Sequence, residues 1–169
     1  MKNYSTVLLG ALGENLVVSE LARRGIVSTT FSGNVPDIDI LAFKNNVSIP
    51  IQVKSLSTKN NPKGNISTNA NNYLKIVWDD KKQIISGLKP IDKNLIFIFT
   101  QIGENYGNDK FFICKQNEIQ KIIFNGYKEY LDKNNGIRPR NPQSTHCSYN
   151  LSQLLKFEDN WELIESKFK

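Results

Sequence analysis

The sequence predicts a mixed α/β domain, and three observations carry that expectation. An N-terminal stretch repeats apolar residues at helical spacing. Two segments after it alternate with period 2 around an Asn-Asn turn, and two strongly apolar runs then precede a second helical pattern. The order is α-β-β-β-(variable)-β-β-α, strands and helices interleaved around one sheet. At 169 residues, with 39% hydrophobic and 22% charged, the chain reads as one domain over 1–169 with a single core.

Residues 5–24 read as the first helix, ended by Arg23-Arg24-Gly25, with cations in the last turn and a glycine to stop it. IVSTTF is a short strand. Segments 36–43 and 47–54 flank Lys44-Asn45-Asn46 and read as a hairpin. Residues 55–72, SLSTKNNPKGNISTNANN, read as a long polar loop, and such loops in compact domains are often functional. Tyr73 to Trp78 is a strand candidate, and DDKKQIISGL a weak helix or turn. NLIFIFTQI reads as a strand buried on both faces, paired with KFFICK across 103–108. Ile119, Ile122, Ile123 and Tyr127 mark a helix over 116–132. NNGIRPRNPQSTHCS reads as loop, and a short amphipathic helix with Leu155, Trp161 and Ile164 follows.

Composition narrows the function classes. Near the N-terminus the run VLLGALGENLVV is cut by Glu14 and Asn15, unlike a signal peptide. No apolar stretch approaches the roughly 20 residues that a membrane helix needs. Two distant cysteines, Cys114 and Cys147, make no disulfide framework, so reduced thiols in a cytoplasm are the expectation. Lys and Arg exceed acids by 22 to 16, a formal +6, which suits a polyanionic partner.

Closed by a two-residue Asn45-Asn46 turn, the hairpin pairs Phe43 with Ser48, Leu41 with Pro50, Asp39 with Gln52 and Asp37 with Lys54. Alternation puts these eight on one face and Ile38, Ile40, Ala42, Val47, Ile49, Ile51 and Val53 on the other. The second face is core. The first gathers two carboxylates, an amide and an ammonium at the end far from the turn. A solvated hairpin end with an Asp37–Lys54 ion pair is the bland explanation.

The first helix argues for more. Val7, Ala11, Glu14, Val18 and Leu21 form one stripe, with Leu8, Leu12 and Leu16 beside it. Glu14 is thus a carboxylate amid a packing face, where an unpaired ionised group costs several kcal/mol. Helix packing across the hairpin would bring it to the patch holding Asp39, and Gly10 and Gly13 would permit close approach.

On these residues the chain resembles the PD-(D/E)XK nuclease superfamily, which includes restriction endonucleases and archaeal Holliday-junction resolvases. That family places a Glu in the first helix, an Asp in the second strand and (D/E/Q)-x-K in the third. Here these would be Glu14 in GALGENLVVSELARRG, Asp39 in PDIDILA, and Gln52 with Lys54 in IQVKS. The match spans roughly the first 55 residues. Asp37 and Asp39 both follow Pro36. Asp39 is preferred, because ILAF after it suits the apolar run and it faces Gln52, which leaves Asp37 as a supporting ligand or a partner for Lys54.

The resemblance implies a restriction-endonuclease-like core and a Mg²⁺- (or Mn²⁺-) dependent endonuclease acting on nucleic acid, DNA ahead of RNA. Asp39, the Gln52 amide oxygen, the Val53 carbonyl and Glu14 would offer the oxygen ligands such a cation takes. Lys54 would act on the attacking water and the developing charge. Lys59, Lys63, Arg138 and Arg140 are candidate phosphate contacts. A homodimer is compatible with this reading. Gln52 in place of an acid keeps open a catalytically silent domain of the same fold that binds nucleic acid or protein. His146-Cys147 lacks partners at zinc spacing, Cys114 reads as core, and Tyr73 and Trp78 read as core aromatics with base stacking as the alternative.

Overall fold

The computed structural model describes residues 2–31, 35–105 and 107–169. Helix α1 (Lys2–Arg23) leads into β1 (Val27–Thr30), β2 (Ile40–Lys44) and β3 (Val47–Ser57). Then come β4 (Asn65–Asn69), a 3-10 turn, β5 (Leu74–Asp79) and β6 (Lys82–Leu88). Strands β7 (Ile96–Ile102) and β8 (Lys110–Lys115), helix α2 (Gln116–Lys133) and β9 (His146–Asn150) follow, with short 3-10 segments and α3 (Glu162–Glu165) at the end. The central sheet runs β1-β2-β3-β7-β8, antiparallel throughout except for the parallel β3–β7 pair. No described helix is long and apolar enough to cross a membrane.

Alternation along the central strands builds one core on each side of the sheet. Ile96 and Ile98 of β7 and Phe111 and Ile113 of β8 join Ile40, Ile51 and Val53 under Val17 and Leu21 of α1. Phe97, Phe99, Phe112 and Cys114 face the other way, under Ile119, Ile123, Tyr127 and Leu131 of α2. β7 is therefore covered on both faces, as its unbroken apolar run predicts.

The segment between β3 and β7 corrects the expected layout. The polar 55–72 stretch is not all loop: β3 runs on to Ser57, and β4 pairs antiparallel with β9. DDKKQIISGL is neither helix nor turn throughout; residues 82–88 form β6, a hairpin with β5. The β3-to-β7 crossover, expected only as a variable segment, thus holds β4, β5 and β6. The layer is tied to α2 by two buried glutamines. Gln120 Nε2 donates to the Tyr73 and Lys89 carbonyls, both at 2.9 Å. Gln83 Nε2 donates to the Pro142 and Ser144 carbonyls, at 2.5 and 3.0 Å, and Gln83 Oε1 accepts from the Tyr127 hydroxyl at 2.5 Å. Gln83→Leu would remove one partner from each of the three, while Trp78 Nε1 still donates to the Pro142 carbonyl and the Tyr127 hydroxyl to that of Ser144, so a loss of about 1–3 kcal/mol in urea denaturation is expected. A loss below about 0.5 kcal/mol would mean that water replaces the glutamine at little cost.

Helix α1 seats differently from the expected stripe. Gly13, Val17 and Leu21 are its buried line, while Val7 is 67% exposed and Leu8, Ala11 and Leu12 also face outward. Gly13 lies directly on Ser55 of β3 and close to Thr100 of β7. The helix covers the Ile and Val face of the hairpin, not its polar face.

Candidate functional site

The hairpin forms as its sequence dictates. Asn45 and Asn46 take φ of 50° and 62°, the positive values that a two-residue turn of this kind requires. Pairing is Phe43 with Ser48, Leu41 with Pro50 and Ile40 with Ile51. Ile40, Ala42, Ile49, Ile51 and Val53 are buried on the predicted core face, whereas Val47 beside the turn is exposed.

The ladder stops at Ile40, so the expected Asp39–Gln52 and Asp37–Lys54 pairs do not form. The Asp39 amide instead donates to the Ile51 carbonyl at 2.9 Å, out of step with the ladder. Its carboxylate takes over as the strand's next partner: the Val53 N–H donates to Asp39 Oδ2 at 2.7 Å. Upstream, Pro36 and Asp37 sit at the middle of a turn closed by Ile38 N–H on the Val35 carbonyl, with Asp37 at φ 63°. That turn carries the chain away from β3 and opens a gap beside Val53. In an extended strand the N–H and C=O of one residue leave on the same edge. The Val53 carbonyl therefore points into the gap that holds Asp39. Oδ1 of Asp39 takes no hydrogen bond among the described residues.

Glu14 reaches this gap from the α1 side of the sheet. It is half-buried, and its carboxyl is held above the ordinary range by burial first, then by the negative charge of Asp39, against a lowering by Lys54. Glu14, Asp39 and Lys54 thus form one electrostatic group. Lys54 makes no salt bridge or hydrogen bond within it, nor with any other described residue. It stands inside β3 rather than at its end, with its side chain exposed.

On the other side of the gap lies a polar cleft of about 590 Å³. Gln52 and Lys54 form one wall, joined by Asp37 and Lys89, and Ser67, Thr68, Asn69 and Asn72 face them. Tyr73 closes the floor. Burial and then the Asp37 charge push its hydroxyl up to about 12, against a hydrogen bond with Thr68, so it stays protonated. The four residues named from the sequence are thus divided between two places: Gln52 and Lys54 line the cleft, while Glu14 and Asp39 stand outside its lining. Asp39 and Glu14 meet Lys54 through the gap that β2 leaves. Both aspartates border Lys54, Asp37 in the cleft wall and Asp39 on the strand edge.

The expected phosphate contacts lie elsewhere. Lys59 and Lys63 are exposed and outside the cleft wall. Arg138 stacks over the Tyr130 ring, its carbon 5.1 Å from the centroid, and donates to the His146 carbonyl. Arg140 is exposed, and the stretch 137–145 packs toward Gln83 and Trp78 without lining the cleft. The polar 55–72 stretch, expected from the sequence to border the cleft, does so through Ser67, Thr68, Asn69 and Asn72 rather than through its lysines; short neutral side chains give no pattern that singles them out when their strand partner is distant in sequence. Among the described residues no group of three or more His, Cys, Asp or Glu could hold a metal ion. Burial pushes the Cys114 thiol up to about 12 and that of Cys147 to about 11, so neither is a ready nucleophile.

No family model matches the chain, and no curated protein matches it. Among solved structures, it is similar to a bacterial homing endonuclease, I-Ssp6803I. The TM-score is 0.55 over 96% of this chain and 95% of that one, at 12% identity. At that identity the likeness speaks to the fold, an α/β domain with a mixed sheet flanked by helices.

Proposed function

We propose that the chain is a metal-dependent endonuclease of the PD-(D/E)XK type, with a restriction-endonuclease-like core, hydrolysing phosphodiester bonds of DNA in preference to RNA. The observation that carries this is the meeting of Glu14, Asp39 and Lys54 at the gap where β2 leaves β3, beside the Gln52 cleft. A fold shared over nearly its whole length with a protein titled a homing endonuclease supports it.

The donor set fits a hard divalent cation. Asp39 Oδ1, the Val53 carbonyl, the Gln52 amide oxygen and Glu14 are all oxygens; burial first and then repulsion from Asp39 raise Glu14, and a cation between the two carboxylates would relieve the repulsion. With only two carboxylates and a neutral amide to hold it, such an ion would keep several waters. Bound there, Mg²⁺ would lower the pKa of a water and polarise the phosphate. The chain's own residues do the rest. The Val53 N–H holds Asp39 through Oδ2, which leaves Oδ1 without a hydrogen bond among the described residues. Lys54, unpaired and adjacent, orients the attacking water and offsets charge on the phosphate oxygens.

Two Asp39 variants separate the latch from the chemistry. Asp39→Asn keeps an oxygen for Val53 and should preserve stability within about 1 kcal/mol, while Asp39→Ala orphans a buried donor and should cost about 1–3 kcal/mol. Both should lose cleavage, in a panel of duplex, single-stranded and branched DNA and RNA with Mg²⁺ or Mn²⁺. Added Mg²⁺ should partly restore the Asn variant. Wild-type protein that cleaves no nucleic acid with either ion would instead favour a catalytically silent binding domain, the reading that Gln52 in place of an acid keeps open.

A further inference from the structure

The β4–β9 ribbon has two unlike faces. Ile66 and Tyr149 point into the α2-side core. The opposite face is made by the cross-strand pairs Asn65–Asn150, Ser67–Ser148 and Asn69–His146, with no apolar side chain on it. At one end the amides are occupied. Asn150 caps the following 3-10 turn through Ser152 and Gln153, and its Nδ2 reaches the Asn65 side chain and the Lys63 carbonyl. At the other end Ser67, Asn69, Ser148 and His146 are exposed, and none of their side chains joins an ion pair or accepts or donates a hydrogen bond among the described residues.

Position gives this platform its meaning. Ser67 and Asn69 border the cleft that holds Lys54. Ser148 and His146 border a separate hollow of about 260 Å³ that holds Arg138. A strip of paired donors and acceptors thus runs between a lysine cleft and an arginine hollow.

We infer that this ribbon face reads base edges in the major groove of duplex DNA, with the cations beside its two strands on the flanking phosphates. The inference rests on the nuclease reading for its partner. A two-stranded ribbon fits the major groove of B-DNA, where Asn pairs with adenine through two hydrogen bonds and Ser bonds either donor or acceptor. Residues two apart on a strand are about 6.8 Å apart, near two base-pair steps, so the four side chains match about three consecutive base pairs. Duplex RNA has a deep, narrow major groove that side chains cannot enter, which is the physical reason for naming DNA.

The test is selection of bound duplexes from a random-sequence DNA pool by the full chain without divalent metal. The same selection follows with Asn69→Ala, His146→Ala and Ser67→Ala, each first checked for unchanged thermal melting. Wild type should enrich a motif. Each variant should relax preference within about three adjacent base pairs and weaken binding to the selected duplex about 5- to 100-fold, with binding to unselected DNA held within about twofold. Loss of affinity by the same factor on every sequence would overturn base reading, as would variants that enrich the wild-type motif unchanged. Tighter binding to duplex RNA than to DNA would overturn the choice of partner. If the motif is enriched and relaxed as expected but Mg²⁺ brings no cleavage, the nuclease reading fails while the reading face stands.

Discussion

Lys54→Ala is expected to lower the rate of metal-dependent cleavage by about 10² to 10⁴-fold while leaving thermal unfolding and nucleic-acid binding nearly unchanged. The two halves of that result have separate causes. Lys54 projects from the interior of β3 into the polar cleft with its side chain exposed, so truncation removes no buried apolar volume and leaves no cavity. Its charge acts on Glu14 and lies beside Asp39 without an ion pair to either, so no partner is orphaned. On the nuclease reading proposed above, what is lost is an ammonium that acts on the attacking water and on the charge that builds on the phosphate. Binding changes little because a single exposed cation is a small share of phosphate neutralisation. Single-turnover cleavage compared with metal-free binding separates the effects. A variant that cleaves at the wild-type rate removes Lys54 from the catalytic set.

Legibility in the sequence followed the strength of the apolar signal. The 40–51 hairpin was readable to the residue, because a side-chain period of 2 with one buried face admits a single register and Asn-Asn suits its turn. β7 was readable from its unbroken apolar run, and α2 from apolar residues at helical spacing. The layer between β3 and β7 was not. β4 buries chiefly Ile66, and its partner β9 lies about eighty residues further on, so neither carries a local pattern that separates it from loop. β6 shows Gln83 where a core residue would stand, because that position binds carbonyls rather than packing hydrocarbon. At the site, residue types pointed to Glu14, Asp39, Gln52 and Lys54, while regular pairing pointed to the wrong geometry. The Pro36-Asp37 turn breaks the ladder and turns Asp39 from a paired residue into a side-chain cap for Val53. The α1 stripe was misread because its closest contact is made by Gly13, which carries no hydrophobic signal at all.

Gly13→Ala is the second large effect expected, and its sign is decided by that contact. In an exposed helix interior the change would stabilise by roughly 0.8–1.0 kcal/mol through backbone propensity. Here a Cβ would stand 1.9 Å from Ser55 Oγ and 2.9 Å from Ser55 Cβ, with Thr100 Cβ at 3.7 Å. Rotation of the hydroxyl relieves the first clash but not the second, so α1 must lift off β3. Overpacking of this kind costs about 1–3 kcal/mol, and the rigid Cβ contact puts this case at the upper end, for a net loss of about 2 kcal/mol. The adjacent residue is Glu14, so the same displacement moves a carboxylate out of the gap it shares with Asp39 and Lys54. A misplacement near 1 Å costs about 10²-fold in rate, beyond any change in folded fraction. Ser55→Gly should relieve both clashes. Its hydroxyl is buried with no hydrogen-bond partner, so deleting it orphans nothing, and the single variant pays only the modest penalty of glycine in a strand. Combined in one protein, the two changes should recover more than 1 kcal/mol relative to the sum of the single losses, together with most of the cleavage rate. Urea denaturation of the four proteins gives the coupling. Additive losses, or a Gly13→Ala protein as stable and active as wild type, would mean that α1 does not rest on β3 at Gly13.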